Sequence, residues 1–285
     1  MGISQRIFEN VGFFGVQEES KDGLKVTQWR GTCFFIEEAA CEDPSKIWGY
    51  MVTARHVAEK IAYREAFLRL NKVGGGSEVI AIPARSVRWW LHPTDCTVDV
   101  AVARWLPPED AVTVVRWGVD DFVTQSDFEQ RTFAVGDDID MIGLFNRSPG
   151  VDKNSPILRR GTLAMLPDGP VQTRLGMADV YLVEAYSIGG MSGSPAIITA
   201  ATIHPHPPSG ARLRGIGRSA LLGLVHGHWD NVDSDADGDA AQAEPKIVTN
   251  SGVSVIVPAS KIIEVIEQDE ITALKAAELP GLIAG

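Results

Sequence analysis

Three residues of this chain, His56, Asp99 and Ser192, could together perform nucleophilic chemistry on a carbonyl group. A serine hydroxyl is a weak nucleophile until a base removes its proton, and a neutral histidine can do so near neutral pH. A buried carboxylate can fix the tautomer of that histidine and stabilise the imidazolium that forms. The three residue types therefore suggest a serine nucleophile, a histidine base and an aspartate that orients the base.

Ser192 lies in a glycine-rich stretch, SIGGMSGSP at 187–195, between the apolar segments 180–183 and 196–198. This pattern predicts a strand, a tight turn and a second strand. Glycines let a backbone fold sharply and bring its N–H groups close to a ligand, where they could bind a developing oxyanion. A plain Gly/Ser hairpin loop would give the same pattern.

His56 and Asp99 each occupy a distinctive position in the sequence. His56 follows the apolar segment 47–52, at a predicted strand-to-helix turn, where a lone histidine is usually structural. Asp99 is the only charged residue in the apolar run 97–103. Burying a carboxylate alone is costly, so we expect Asp99 to be paired or hydrogen-bonded.

The composition narrows the class of protein and its partners. The 285 residues carry a formal net charge of -11, which argues against nucleic acid and anionic membrane surfaces as partners. The cysteines, Cys33, Cys41 and Cys96, are odd in number and irregularly spaced, so we expect no disulfide framework. The sequence has neither a signal-peptide pattern nor an apolar run long enough to span a bilayer, and we expect a cytoplasmic protein.

Short apolar or alternating segments that end in turn residues predict an all-β fold. The expected strands are residues 32–36, 47–52, 66–70, 78–82, 87–91, 98–105, 138–145, 157–165, 180–185, 195–199, 221–226 and 253–257. We expect two six-stranded antiparallel β-barrels and a C-terminal helix, because no long helices separate the strands. The predicted division is an N-terminal barrel at 1–105, a connection at 106–130, a C-terminal barrel at 131–258 and a helical segment at 259–285.

Several motifs in this order resemble those of trypsin-like serine peptidases. ARH at 54–56 resembles the family's TAAHC histidine motif, DVAV at 99–102 its DIAL motif, and GMSGSP at 190–195 its GDSGGP motif. GTCFFI at 31–36, VGD at 135–137 and LGLVHG at 222–227 look like further family strands and turns. Each motif is weak alone, but the resemblance extends over about residues 28–268, with the three catalytic motifs in the family's order.

The resemblance implies a serine endopeptidase that acts on protein or peptide substrates through an acyl-enzyme. His56 would be the general base, Asp99 its orienter and Ser192 the nucleophile, and the N–H groups of Gly190 and Ser192 would form the oxyanion hole. Met191 stands where zymogen-activated members have an aspartate, so we expect activity without N-terminal processing. Val57 stands where other members have a cysteine that forms a disulfide beside the histidine. The absence of this disulfide fits a bacterial, intracellular member.

Only a few residues bear on which substrates the protein would prefer. The resemblance places Tyr186 at the base of the specificity pocket, with Ser187, His226, Gly227 and His228 as the other substrate-binding candidates. Because Tyr186 is not an aspartate, we expect no preference for cleavage after Arg or Lys. His226 and His228 would favour acidic side chains, or would simply cap the end of a strand.

Ser194 replaces the second glycine of the family's nucleophile motif, so a side chain is added beside the nucleophile. A distorted oxyanion hole would leave a pseudo-peptidase, with the fold serving as a protein-binding module. An α/β-hydrolase fits poorly, because such enzymes carry the aspartate and then the histidine after the serine. If the protein is a cytoplasmic peptidase, a regulatory protein partner that restrains it is expected.

Two further segments could bind metal. An acidic loop matches the spacing of a calcium loop through Asp233, Asp235, Asp237, Asp239 and Glu244. No amphipathic helices flank it, and its composition also describes a disordered surface insert. HPHPP at 204–208 carries two histidines without an apparent third ligand. We therefore expect no resident metal or cofactor, with calcium at the acidic loop as the alternative.

Overall fold

The structure is a computed structural model that describes residues 5–19, 25–40, 46–107, 110–200, 218–232 and 248–278. Eight strands of the N-terminal half form one sheet, in the order β5-β4-β1-β2-β3-β7-β6, with β8 pairing parallel to β2. They are β1 (Val11–Glu19), β2 (Lys25–Ala39), β3 (Ile47–Thr53), β4 (Ala66–Asn71), β5 (Ser77–Ile82), β6 (Trp90–Leu91), β7 (Ala101–Arg104) and β8 (Trp117–Gly118). Helix α1 (Arg55–Ala62) connects β3 to β4.

The C-terminal half is a closed barrel of six antiparallel strands, in the order β10-β13-β16-β15-β14-β9. The strands of this half are β9 (Asp138–Gly143), β10 (Ile157–Met165), β11 (Val171–Thr173), β12 (Gly176–Ala178), β13 (Tyr181–Glu184), β14 (Pro195–Thr199), β15 (Ser219–Val232) and β16 (Val248–Pro258). Strands β11 and β12 pair only with each other, as a hairpin outside the barrel. The remaining α-helices are α2 (Gln125–Glu129), α3 (Ala259–Ile266) and α4 (Asp269–Glu278), and short 3₁₀ helices lie at Gln5–Asn10 and Val119–Asp121.

The predicted all-β class is confirmed, and the C-terminal barrel has its six predicted strands. The N-terminal half differs from its predicted six strands, because β1 and the short β8 join the sheet. Sequence analysis did not predict strand β1, because Gly12 and Gly15 weaken its strand pattern. In the sheet both glycines make close contacts, since a Cβ would lie 2.8 Å from the side chains of Leu68 and Leu70 at Gly12, and 2.8 Å from the ring of Trp29 at Gly15.

A hydrophobic core joins the two halves. Phe34 and Phe35 of β2 are fully buried, and Leu144, which follows β9, belongs to the same cluster. Helix α3 adds Ile262 and Val265 to this cluster, so the C-terminal segment packs against both halves. Because the two halves share this core, side chains from each can meet at their boundary, which we call the cleft.

Arg69 of β4 holds a loop of the C-terminal half. Its Nε donates to Oδ1 of Asn154 at 2.6 Å, and its terminal nitrogens donate to the carbonyl groups of Pro149 and Gly150. The guanidinium also lies 4.5 Å from the ring centroid of Trp29. Burial lowers the pKa of Arg69, but the planar hydrogen bonds satisfy its donors and fasten the 149–154 loop to the N-terminal sheet.

Among the described residues, none of the helices is long and apolar enough to cross a membrane.

Candidate active site

His56 and Asp99 lie in contact. His56 is the second residue of α1, and Asp99 lies just before β7, where it is fully buried. Nδ1 of His56 lies 2.8 Å from Oδ2 of Asp99, and the backbone N–H of His56 donates to Oδ1 at 3.0 Å. Both carboxylate oxygens therefore accept hydrogen bonds from His56. These bonds fix the orientation of the ring and require a proton on its Nδ1.

A second histidine contacts the same carboxylate. Nδ1 of His226, in β15, lies 2.6 Å from Oδ2 of Asp99, the oxygen that also contacts His56. The rings of His56 and His226 stand edge to face with their centroids 5.9 Å apart. His226 is almost completely buried, whereas the His56 side chain keeps 28% of its surface exposed. His56 is thus the more accessible of the two imidazoles.

The electrostatic balance at Asp99 favours the ionised carboxylate. Burial alone would raise the pKa of Asp99. The hydrogen bonds from His226 and His56, together with the charges of these rings, outweigh burial and lower the pKa of Asp99 to about 2. Asp99 is therefore negatively charged throughout the neutral range, as an orienting carboxylate must be.

Ser192 lies in the predicted turn between β13 and β14, partly exposed to the cleft. Its Oγ donates to the backbone carbonyl of His226 at 3.2 Å. Among the hydrogen bonds of the described residues, none joins Ser192 to the His56 ring. Catalytic hydrogen bonds are often long or misaligned before substrate binds, so this geometry is compatible with a resting site.

The turn exposes two backbone donors beside the serine. Gly190 has a φ of +101°, which a residue with a side chain rarely adopts. Within the described chain, the N–H groups of Gly190 and Ser192 have no protein acceptor, whereas those of Met191 and Gly193 donate to the carbonyls of Ile188 and Val225. The predicted oxyanion hole thus has two available donors, and it remains a prediction.

Thr32, in β2, fixes this turn from the N-terminal half. Its backbone N–H donates to the carbonyl of Ser192 at 3.1 Å. Its Oγ1 donates to the carbonyl of Gly190 at 2.8 Å and accepts from the N–H of Leu144 at 2.9 Å. Sequence analysis placed Thr32 on a strand but missed this role, because nothing local indicates contact with residues over 100 positions away.

Ser194, the departure from the family's motif, points away from the cleft. It is fully buried, and its Oγ occupies the space that Gly143 leaves by lacking a Cβ. It also contacts Sδ of the buried Met191 at 4.0 Å. The added side chain is thus accommodated behind the turn rather than beside the hydroxyl of Ser192.

The predicted substrate-binding residues do not form one enclosed pocket. Tyr186 is 58% exposed, and its carbonyl accepts from Nε of Arg159 at 2.8 Å. It lines an open depression of about 880 Å³ together with Arg159, Glu184 and Gly252. The role of Tyr186 in selectivity stays a prediction.

The other predicted substrate contacts lie around the cleft strand. Ser187 is buried, and Gly227 follows His226 in β15, where a Cβ would lie 3.0 Å from the guanidinium of Arg174. His228 pairs with Ser254 through the backbone, and its side chain lies outside the described part of the structure. Of the histidines predicted to contact substrate, His226 instead contacts Asp99 with its ring.

One group of described residues could hold a metal ion. Nδ1 or Nε2 of His56 and His226 and a carboxylate oxygen of Asp99 lie within 4.8 Å of one another. The proposed calcium ligands Asp233, Asp235, Asp237, Asp239 and Glu244 lie outside the described residues, as do His204, His206 and Cys41. Calcium at the acidic loop therefore stays a prediction.

The closed six-stranded barrel and the adjoining β-sheet have the architecture of the chymotrypsin fold. No protein-family profile and no curated protein match the chain. The crystal structure of the MamO protease domain from Magnetospirillum magneticum, in its apo form, superposes with a TM-score of 0.53 at 13% identity, covering 93% of this chain and 100% of that one. The crystal structure of Deg5 superposes with a TM-score of 0.44 at 16% identity, covering 78% of this chain and 80% of that one. At such low identity the likeness concerns the fold alone.

Proposed function

We propose that this protein is a serine endopeptidase with His56, Asp99 and Ser192 as its triad. The observation that carries the proposal is the double contact of Asp99 with His56, through Nδ1 at 2.8 Å and the backbone N–H at 3.0 Å, beside a partly exposed serine. A buried carboxylate that fixes a neighbouring imidazole in the Nδ1–H tautomer leaves Nε2 free to accept a proton.

In the proposed reaction, Ser192 Oγ turns from the carbonyl of His226 towards the substrate. Nε2 of His56 takes the hydroxyl proton while Oγ bonds to the scissile carbonyl carbon. The N–H groups of Gly190 and Ser192 receive the resulting oxyanion. The amine leaves with the proton from His56, and water, activated by the same base, hydrolyses the acyl-enzyme.

Asp99 keeps its charge during these steps and stabilises the imidazolium. Met191 is buried and cannot pair with a new N-terminal amine, which supports activity without N-terminal processing. The substrates would be peptides or proteins, and cleavage after Arg or Lys is not expected, because the pocket position carries Tyr186.

Labelling with a fluorophosphonate probe tests the proposal. We expect the purified chain to be labelled, and the Ser192→Ala variant to remain unlabelled while unfolding at the same temperature. Ser194→Ala is the matched control, since its hydroxyl lies behind the turn and its loss should leave labelling intact. Labelling that survives in Ser192→Ala would contradict the proposed nucleophile.

One observation favours a second candidate, a catalytically silent peptide-binding module. The hydroxyl of Ser192 is directed to the backbone carbonyl of His226 at 3.2 Å instead of to His56. If this is also the geometry with substrate bound, the serine is not activated. A folded protein that binds peptides but resists the probe at every pH between 6 and 9 would support this candidate over the peptidase.

A further inference from the structure

The pair of histidines on one carboxylate has a consequence beyond the proposed reaction. Oδ2 of Asp99 lies within hydrogen-bond distance of two ring nitrogens, Nδ1 of His56 at 2.8 Å and Nδ1 of His226 at 2.6 Å. A single histidine is enough to serve as the base of a triad. His226, almost completely buried, adds a second imidazole nitrogen to the same oxygen.

We infer that His56, Asp99 and His226 form a site for a divalent transition metal ion such as Zn²⁺, and that the bound ion switches off the base function of His56. The regulatory half of this inference rests on the proposed peptidase activity, whereas the binding half does not. Two imidazoles and one carboxylate are a ligand set that zinc accepts, with a fourth position left for water.

The geometry requires only a small adjustment. Zinc lies about 2.0–2.2 Å from nitrogen and oxygen ligands, so two ligands of a tetrahedral site are separated by about 3.3 Å. Nδ1 of His56 must therefore move away from Oδ2 by about 0.5 Å and Nδ1 of His226 by about 0.7 Å. His56 is partly exposed, which gives it room to move and gives the ion a route from the cleft. The backbone N–H of His56 would continue to hold Oδ1, orienting the carboxylate towards the ion.

The switch follows from where the proton lies on each ring. Without metal, each Nδ1 donates its proton to Asp99 and each Nε2 has a lone pair. Metal coordination needs the lone pair of Nδ1, so each neutral ring loses its Nδ1 proton and gains one on Nε2. A protonated Nε2 cannot take the proton of Ser192, and the serine stays inactive.

Cobalt absorption spectroscopy tests the binding half without any need for activity. The full-length protein would carry His204→Gln and His206→Gln, which remove a possible unrelated site. We expect one equivalent of Co²⁺ to give visible bands of a four-coordinate site, displaced by Zn²⁺. The bands should persist in Ser192→Ala, and His226→Gln should weaken binding at least about tenfold.

His92→Gln is the matched control. His92 also contacts a carboxylate, Nε2 lying 2.7 Å from Glu264, but it lacks a second histidine. Binding should be unchanged in this variant. No Co²⁺ bands, or equal binding by His226→Gln and the parent, would overturn the inference.

Fluorophosphonate labelling tests the switch. Zn²⁺ should abolish labelling of the parent and should not affect the residual labelling of His226→Gln at the same concentration. Continued labelling of the parent with zinc bound would overturn the switch. An absence of labelling in metal-free protein would instead count against the proposed peptidase, while the cobalt result would still decide whether the site exists.

Discussion

Ser194 fits behind the turn that carries Ser192 because residue 143 is a glycine. A Cβ at Gly143 would overlap Oγ of Ser194 and come within 2.9 Å of Oγ1 of Thr32. Gly143 ends β9 and Ser194 precedes β14, so the two residues meet where neighbouring barrel strands pair. The serine that departs from the family's motif is thus matched by a glycine on the adjacent strand.

The close contact between Ser194 and Gly143 predicts that substitutions at the two positions have coupled effects on the free energy of unfolding. Gly143→Ala should lower the free energy of unfolding by about 1–3 kcal/mol, the usual cost of forcing an extra carbon into a packed core. In a Ser194→Gly background the same change should cost much less, because the overlapping hydroxyl is gone. Urea denaturation of the four proteins measures the coupling energy, and additive effects would contradict the match.

Thr32 is predicted to shape the oxyanion turn. Thr32→Val keeps the side-chain volume but leaves the buried N–H of Leu144 and the carbonyl of Gly190 without their partner, at a cost of about 1–3 kcal/mol. Fluorophosphonate labelling should slow by about tenfold or more as the turn loosens. Thr199→Val is the control, since Thr199 Oγ1 pairs with Oγ of Ser219 at 2.9 Å, in an exposed contact between β14 and β15. Equal labelling rates in the two variants would argue against this role.

Asp99 is predicted to control the tautomer of His56. Asp99→Asn should reduce the labelling rate by about 10⁴-fold, because an amide no longer enforces a proton on Nδ1 of His56. Asp140→Asn removes another fully buried aspartate, which is paired with Arg160 at 2.7 and 2.8 Å away from the cleft. This control should lose stability and keep its labelling rate. Similar labelling losses in both variants would point to general misfolding.

The lowered pKa of Asp99 also predicts how stability depends on acid. In the folded protein the pKa is about 2, below the value of about 3.9 in an unfolded chain. The unfolded state therefore takes up the proton first, and the stability that ionised Asp99 contributes is complete above about pH 4 and is lost as the pH falls towards 2. Between these values the free energy of unfolding should fall more steeply in the wild type than in Asp99→Asn. Parallel curves would exclude this contribution.

The hydrogen bonds from Arg69 to the 149–154 loop are predicted to need a planar guanidinium. Arg69→Lys keeps the charge but cannot reach Asn154, Pro149 and Gly150 together, and it should cost about 2 kcal/mol or more in urea denaturation. Arg30→Lys provides the comparison, since the pair of Arg30 with Glu18 is exposed and should contribute less than about 1 kcal/mol. If Arg69→Lys lowers the free energy of unfolding no more than Arg30→Lys does, the hydrogen bonds of Arg69 do not stabilise the fold as proposed.

The sequence by itself determined the all-β class and the local setting of the three proposed triad residues. Alternating apolar residues and turn-forming glycines act over a few positions, so the second barrel and the turn around Ser192 could be predicted from the chain alone. The apolar run around Asp99 indicated a buried carboxylate in need of a partner. The glycines of β1 hid that strand, because the side chains that they fit against lie on other strands, β4 for Gly12 and β2 for Gly15.

Only the tertiary structure decided which distant residues meet. His226 joins Asp99 across 127 positions, and Ser194 matches Gly143 across two barrel strands. Thr32 reaches the nucleophile turn from the other half of the molecule. Such contacts depend on strand register and on how the two sheets pack, and no short-range pattern of residue types encodes either. For this reason the sequence suggested one histidine for the aspartate, and the folded chain provides two.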